Sequence, residues 1–555
     1  MKKINRLTLV LTLMAAGLFA GCASDEEATR ENQKIALDGS HFKFTEVAYQ
    51  ADQAVTRATA PAKPTTVDLG DGLEAEVSVT PDAPTGKTRA VDPISDGKYT
   101  ILAFDPTTHD LQGKLEGSVT GGVFTPDAGQ KLLLDPGTYD FTCFSEPVEY
   151  DEPHNRLVVY HLLTKNPMIG HVQATIVSDD YEVAFNMEHK AARVRLNITS
   201  DILSENTPID AYLQGTTFLT GYWVQDWYTA YSGALNNTGN FWYNTPQPLT
   251  FTNIAPVTTQ TGTTCTSAYG YMLPSTAPNN SLRDYTLHFT AGTIGGGSLA
   301  SKTINLSGAT FPTGFQWNYN QSITINVNVK GQLYLFEDGK ARVLAGKGTH
   351  TPIGLVIQQS WEPANQKGMA CALEILNYTW KNVDDHIEEN VHPSPTNMVE
   401  TAADMNGENW TYNANLQGTV RSNQATTYPA FYQAARYTPG VATASSIGRW
   451  YLPSYGELIK FVQVFQKGFT PTATEPVGPH YHQMNSGFET KFRNAFTQAG
   501  KPDATSQFII SSTQIRWGSA GIKPAYINIT SGDRLYTGVC WNTMMNSNVL
   551  PFVHF

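Results

Sequence analysis

The chain is short of charge, of cysteine and of long apolar runs, and each shortage excludes something. Asp, Glu, Lys and Arg make up 15% of the 555 residues, with a net charge of −12. No basic cluster interrupts that balance, so a nucleic-acid partner is not expected. The five cysteines stand far apart with no C-x-x-C pair, which argues against a structural zinc site. Beyond the opening segment, no apolar run approaches the roughly 20 residues that a bilayer-spanning helix needs. G-x-S-x-G, H-E-x-x-H and P-loop motifs are missing, so the chain is not expected to be an enzyme.

Turn formers and aromatics are plentiful. There are 45 glycines, 31 prolines and 11% aromatic residues, a composition that fits an exported β-protein. The length is too great for one domain and sufficient for three.

The opening pairs a basic stretch (Lys2, Lys3, Arg6) with one short apolar run from Leu7 to Ala20. Residues 1–21 read as a signal peptide. Ala20 and Gly21 directly before Cys22 are similar to the lipobox of bacterial lipoproteins, with Phe19 where a branched residue is usual. Lipidation at Cys22 is expected, and acyl chains contributing about 0.8 kcal/mol per buried CH₂ would anchor the precursor in the outer membrane. Ser24-Asp25-Glu26-Glu27 resembles a surface-export signal of such lipoproteins. Residues 22–65 read as a tether with one short strand from Phe42 to Tyr49.

Strand patterning begins at Leu73. Leu73-Glu74-Ala75-Glu76-Val77-Ser78-Val79 alternates apolar and polar with period two, so one face packs and the other is wet. Residues 81–93 then form a basic, Pro- and Gly-rich loop of the kind that invites proteolysis. Further strands are expected at 99–104, 131–134, 139–144, 183–198 and 321–329. Helical periodicity appears twice, over 368–378 and 455–465. The expected fold class is mainly β. Two Greek-key β-sandwiches at 66–200 and 201–332 precede an α+β domain at 333–555.

The first half resembles the fimbrillin family (Mfa-like, type V pilins). The resemblance rests on the lipobox, the Lys87-Thr88-Arg89-Ala90 loop, and the strand Tyr99-Thr100-Ile101-Leu102-Ala103-Phe104. It rests also on the turn Leu134-Asp135-Pro136-Gly137-Thr138-Tyr139 and on Met187-Glu188-His189-Lys190-Ala191-Ala192-Arg193-Val194. The last part is similar to the C-type-lectin-like module of fimbrial tip subunits, carried chiefly by Gly448-Arg449-Trp450-Tyr451-Leu452-Pro453-Ser454-Tyr455-Gly456-Glu457-Leu458.

The resemblance implies a pilus subunit that a trypsin-like protease cuts after an arginine. The cut removes the first strand, and a neighbouring subunit fills the groove with a strand of its own. Arg89 fits that cut, with Arg57 as runner-up. Residues 549–555 are expected to form a core strand that cannot be donated, which implies a place at the fimbrial tip. The module's partner there would be a glycan or protein on a host or bacterial surface.

Ligand contacts are sought among Trp410, Tyr412, Trp517 and Trp541, because aromatic faces stack on sugars. Tyr428 and Tyr432 are further aromatic candidates. Cys371 and Cys540 fall in one expected domain and are either a disulfide or two buried thiols. Arg449 and Glu457 are expected as a buried pair. No cofactor is implied; calcium is conceivable at the loop Asp384-Asp385-His386-Ile387-Glu388-Glu389-Asn390-Val391-His392 or at Trp361-Glu362-Pro363-Ala364-Asn365, and a solvated loop is the plainer account of both. Two other functions stay open at this stage: a surface glycan-binding lipoprotein that never polymerises, and a surface enzyme acting on polysaccharide.

Overall fold

The computed structural model describes residues 34–49, 64–82 and 94–555, except 161, 164, 179, 204–206, 216–221, 243–247, 275–280, 314, 386, 390–396, 472–478, 517–520 and 544–546. The fold is mainly β, and the α-helices among the described residues all lie in the last third.

A seven-stranded sheet opens the fold. Its order is Phe42–Glu46, Val183–His189, Met168–Ile176, Gly137–Ser145, Gly97–Phe104, Leu111–Thr120, Val123–Pro126. The alternation Val183, Phe185, Met187 buries one face of its strand against Phe42, Tyr99, Ile101 and Phe141. The strand Ile35–Leu37 pairs with Leu132–Leu134 and its Leu37 is fully buried. Residues expected as tether therefore contribute two strands to this unit.

A second unit is built on a sheet running Gly270–Met272, Ala192–Ser200, Ser322–Gly331, Leu73–Pro81, Thr65–Gly70. A four-stranded sheet that includes Ile209–Gly215 and Tyr285–Ala291 shares its core. This sheet draws strands from both sides of the expected boundary at 200. Ala192–Ser200 runs parallel to Ser322–Gly331, which is antiparallel to Leu73–Pro81.

The last third carries two sheets. In the first, Pro352–Gln358 pairs with Met369–Ala372, which pairs with Phe552–His554. In the second, Phe508–Arg516, Ile522–Thr530 and Arg534–Val539 lie side by side. The expected helix at Tyr455–Phe465 is present, and its apolar stripe is buried in the core. The expected helix at 368–378 is absent. Met369–Ala372 is a strand whose four residues are all buried, and covering both faces of a strand removes the alternation that would have identified it. Gly368 is required there, since a Cβ would lie 2.6 Å from the Phe555 ring.

Candidate strand-acceptor site

The hairpin of Thr65–Gly70 and Leu73–Pro81 is the element on which a strand-exchange function would turn. Its turn uses Gly70, Asp71 and Gly72, all at positive φ (74°, 59° and 79°), which glycine adopts without strain. Leu73, Ala75, Val77 and Val79 point inward and are buried. Burying the three larger chains contributes about 5–9 kcal/mol. Glu74, Glu76 and Ser78 occupy the opposite face.

Both long edges of the inner strand are bonded. On one side Leu73–Pro81 pairs with Ser322–Gly331 in continuous antiparallel register, Pro81 opposite Ile323 and Leu73 opposite Gly331. On the other side, after the hairpin partner, the Val79 amide donates to the Thr310 carbonyl at 2.8 Å, and the Thr310 amide donates to the Val77 carbonyl at 3.0 Å. Removing the hairpin would therefore bare an apolar slot with two unpaired backbone edges, which is costly unless refilled.

Asp82 locks the end of the strand. Its carboxylate accepts hydrogen bonds from Ser322 Oγ at 2.6 Å, Tyr269 OH at 2.7 Å and Thr324 Oγ1, and Arg195 stands 3.3 Å away. Burial pushes this carboxyl upward, but the hydroxyl donors and the guanidinium outweigh it and hold it below the usual carboxylate range. The sequence reading missed Asp82. Its only local signal is a place directly after the alternating strand and before the exposed loop. Arg89 lies in that loop. It and Arg57 and Cys22 all lie outside the described residues.

Phe552–His554 is held differently. It pairs with Met369–Ala372 on one edge. On the other, Tyr451 and Phe552 exchange both backbone hydrogen bonds, at 2.8 and 2.9 Å. Val549, Leu550, Phe552 and Val553 are fully buried.

The expected ligand aromatics do not form one face. Trp410 is buried, and its indole Nε1 donates to the Asp404 carboxylate at 3.0 and 2.9 Å. It is core, because a buried indole N–H needs an acceptor and Asp404 supplies one. Tyr412 is half-buried and donates its hydroxyl to the Trp450 carbonyl at 2.6 Å, with Arg449 stacked 3.8 Å from its ring. Tyr428 is buried in the same core, and Tyr432 is half-buried under Arg436. Trp541 is 49% exposed, and the Lys523 ammonium lies 4.2 Å over its ring. Trp517 lies outside the described residues.

One alternative left open is decided, and one further expectation is corrected. Cys371 and Cys540 are free thiols in two different core clusters, so they do not pair. Burial pushes the Cys540 thiol up to about 12 and Cys371 upward as well. Arg449 and Glu457 are not partners. Arg449 is exposed near Glu408 at 3.5 Å, while Glu457 is buried and accepts from the Ser454 amide at 2.7 Å, fixing the start of its helix. In the acidic loop Lys381 bonds Asp385 and Glu389, and Lys523 bonds Asp384. No group of metal-capable side chains occurs among the described residues. His386, Asn390, Val391 and His392 lie outside them.

No protein-family model matches the chain, and no curated protein matches it in sequence. Solved structures resemble it weakly. A proposed cell adhesion protein from Bacteroides fragilis is 13% identical, covers 52% of this chain and 93% of its own length, and gives a TM-score of 0.31. Another from Bacteroides uniformis is 13% identical over 54% of this chain and 99% of its own, with a TM-score of 0.26. The tip fimbrial protein Mfa3 from Porphyromonas gingivalis, truncated at its C terminus, is 11% identical over 43% of this chain and 95% of its own, with a TM-score of 0.25. Scores of this size establish neither a common fold nor a common role.

Proposed function

We propose that the chain is the precursor of a fimbrial tip subunit and adhesin, exported as a lipoprotein through Cys22 and cut after Arg89. The observation that carries this reading is the hairpin. Residues 65–81 complete a sheet whose other strands come from residues 162–331, and the chain leaves that hairpin directly into the segment containing Arg89. A cut there separates the hairpin from everything that follows, leaving only noncovalent contacts to hold it. A strand from a neighbouring subunit then replaces it along Ser322–Gly331 by β-augmentation.

Phe552–His554 is paired on both edges, and Phe552 and Val553 are buried, so this strand belongs to the module's own core and is not the one donated. In this reading residues 333–555 are a C-type-lectin-like adhesive module.

Limited treatment of the purified chain with an arginine-specific protease, followed by incubation with a labelled peptide of residues 73–81, tests the exchange. Uptake by the cut chain and not by an Arg89→Ala variant is expected. Equal uptake by both, or by neither, would contradict it.

A further inference from the structure

Between the second sandwich and the module lies a cleft with two adjoining lobes of about 650 and 510 Å³. Volumes of this order suit small ligands. The lobes share Asp201, Lys330, Gln332 and Lys491. Hydroxyls of Thr199, Thr261 and Thr264 and the amide of Asn328 line the larger lobe, and Lys467 lies at its side. In the larger lobe three lysines face one aspartate, against the sign of a chain whose net charge is −12. Neither Lys467 nor Lys491 has an ion-pair partner among the described residues, and both are exposed. Lysines gathered in a concave site reinforce one another's field there.

The hairpin meets the same cleft. Between Thr65 and Pro81 it carries Asp68, Asp71, Glu74 and Glu76, with no Lys or Arg. Asp68, Asp71 and Glu74 line the smaller lobe. Glu76 holds Lys330 at 2.6 Å, and Asp71 holds Lys302.

We propose that the cleft binds an acidic oligosaccharide, with its anionic groups on Lys330, Lys467 and Lys491 and its hydroxyls on the threonine-lined wall, and that the acidic hairpin partly masks it. Thr199, Thr261, Thr264 and Asn328 offer hydrogen bonds to a polyhydroxylated ligand, and Val356, Val464 and Phe465 offer an apolar surface to the face of a sugar ring. Only the masking part rests on the removal of the hairpin proposed above.

Titration calorimetry of the uncut full chain tests the binding. The probes are an oligogalacturonate, a sulfated heparin oligosaccharide, a neutral cello-oligosaccharide and a poly-glutamate peptide. At least one acidic sugar is expected to bind, more weakly as salt rises. Lys467→Glu with Lys491→Glu should lower its affinity by about tenfold or more, from two charge reversals at exposed positions that leave the fold intact. The uronate and sulfate arms tell carboxylate from sulfate recognition. Absence of binding by both acidic sugars, unchanged affinity in the double variant, or equal binding of the neutral sugar or the peptide would overturn the assignment. Glu76→Gln, which frees Lys330, should tighten binding by a few-fold. An unchanged affinity in that variant would overturn the masking while the lysine variants still decide the site.

Discussion

Ser322 Oγ donates a hydrogen bond of 2.6 Å to the Asp82 carboxylate across the sheet, at the residue that closes the inner hairpin strand. That bond joins the segment ahead of Arg89 to the strand against which the hairpin lies. It makes Asp82 the residue that ties the end of the hairpin to that strand.

Asp82→Asn should therefore destabilise the chain by about 1.5–3 kcal/mol near neutral pH, the usual loss for charge-assisted hydrogen bonds. The Asp82 carboxyl is held low in the folded state. Its contribution is present above the ordinary carboxylate pKa of about 3.9 and is lost as pH falls through the lower folded value. Denaturant titrations of both proteins should show the gap at neutral pH and its closure in acid.

Val77→Ala removes two methyl groups from the buried face of the hairpin, opposite Val327. A loss of about 1–2 kcal/mol is expected. Glu74→Ala, on the exposed face of the same strand, should stay within about 0.5 kcal/mol. Chemical denaturation of the full chain checks both. Equal effects would mean that the alternating face is not what docks the hairpin.

Glu457 gives the opposite pH dependence. Burial raises its carboxyl to about 7, against hydrogen bonds from Ser454 and Tyr451 that favour the charged form. A raised folded pKa means that the native state holds the proton more tightly than the unfolded chain. The stabilisation is complete below the ordinary glutamate value of about 4.3 and is lost as pH rises through about 7. Glu457→Gln should flatten the fall in stability across that window, measured by thermal melting.

Cys371 and Cys540 should resist alkylation in the native chain and react only on unfolding, since both are buried with thiols pushed upward. Mass spectrometry after iodoacetamide treatment reads this out. Reductant should leave the melting temperature unchanged, and a reductant-dependent shift would contradict the free-thiol assignment.

Local pattern made some of this fold legible. The strict alternation from Leu73 marks the inner hairpin strand, and the apolar stripe of Tyr455–Phe465 marks its helix. What stayed hidden depends on partners far along the chain. The pairing of Val77 with Val327 spans most of two units, and nothing within either strand names the other. Met369–Ala372 lost its alternation to burial on both faces. Trp410 and Trp541 are the same residue type, yet one is buried on Asp404 and the other exposed. Composition cannot separate those two environments. The sequence singles out Glu457 but suggests Arg449 as its partner, whereas the carboxylate accepts from the Ser454 amide three residues away.

The N-terminus of the mature protein, taken from its native envelope and read by mass spectrometry, tests the central claim most directly. A chain beginning at Ala90, without residues 65–81 attached, is the predicted result. A lipidated Cys22 with no cut species would contradict it, because the hairpin would then remain in its slot and no neighbouring strand could enter.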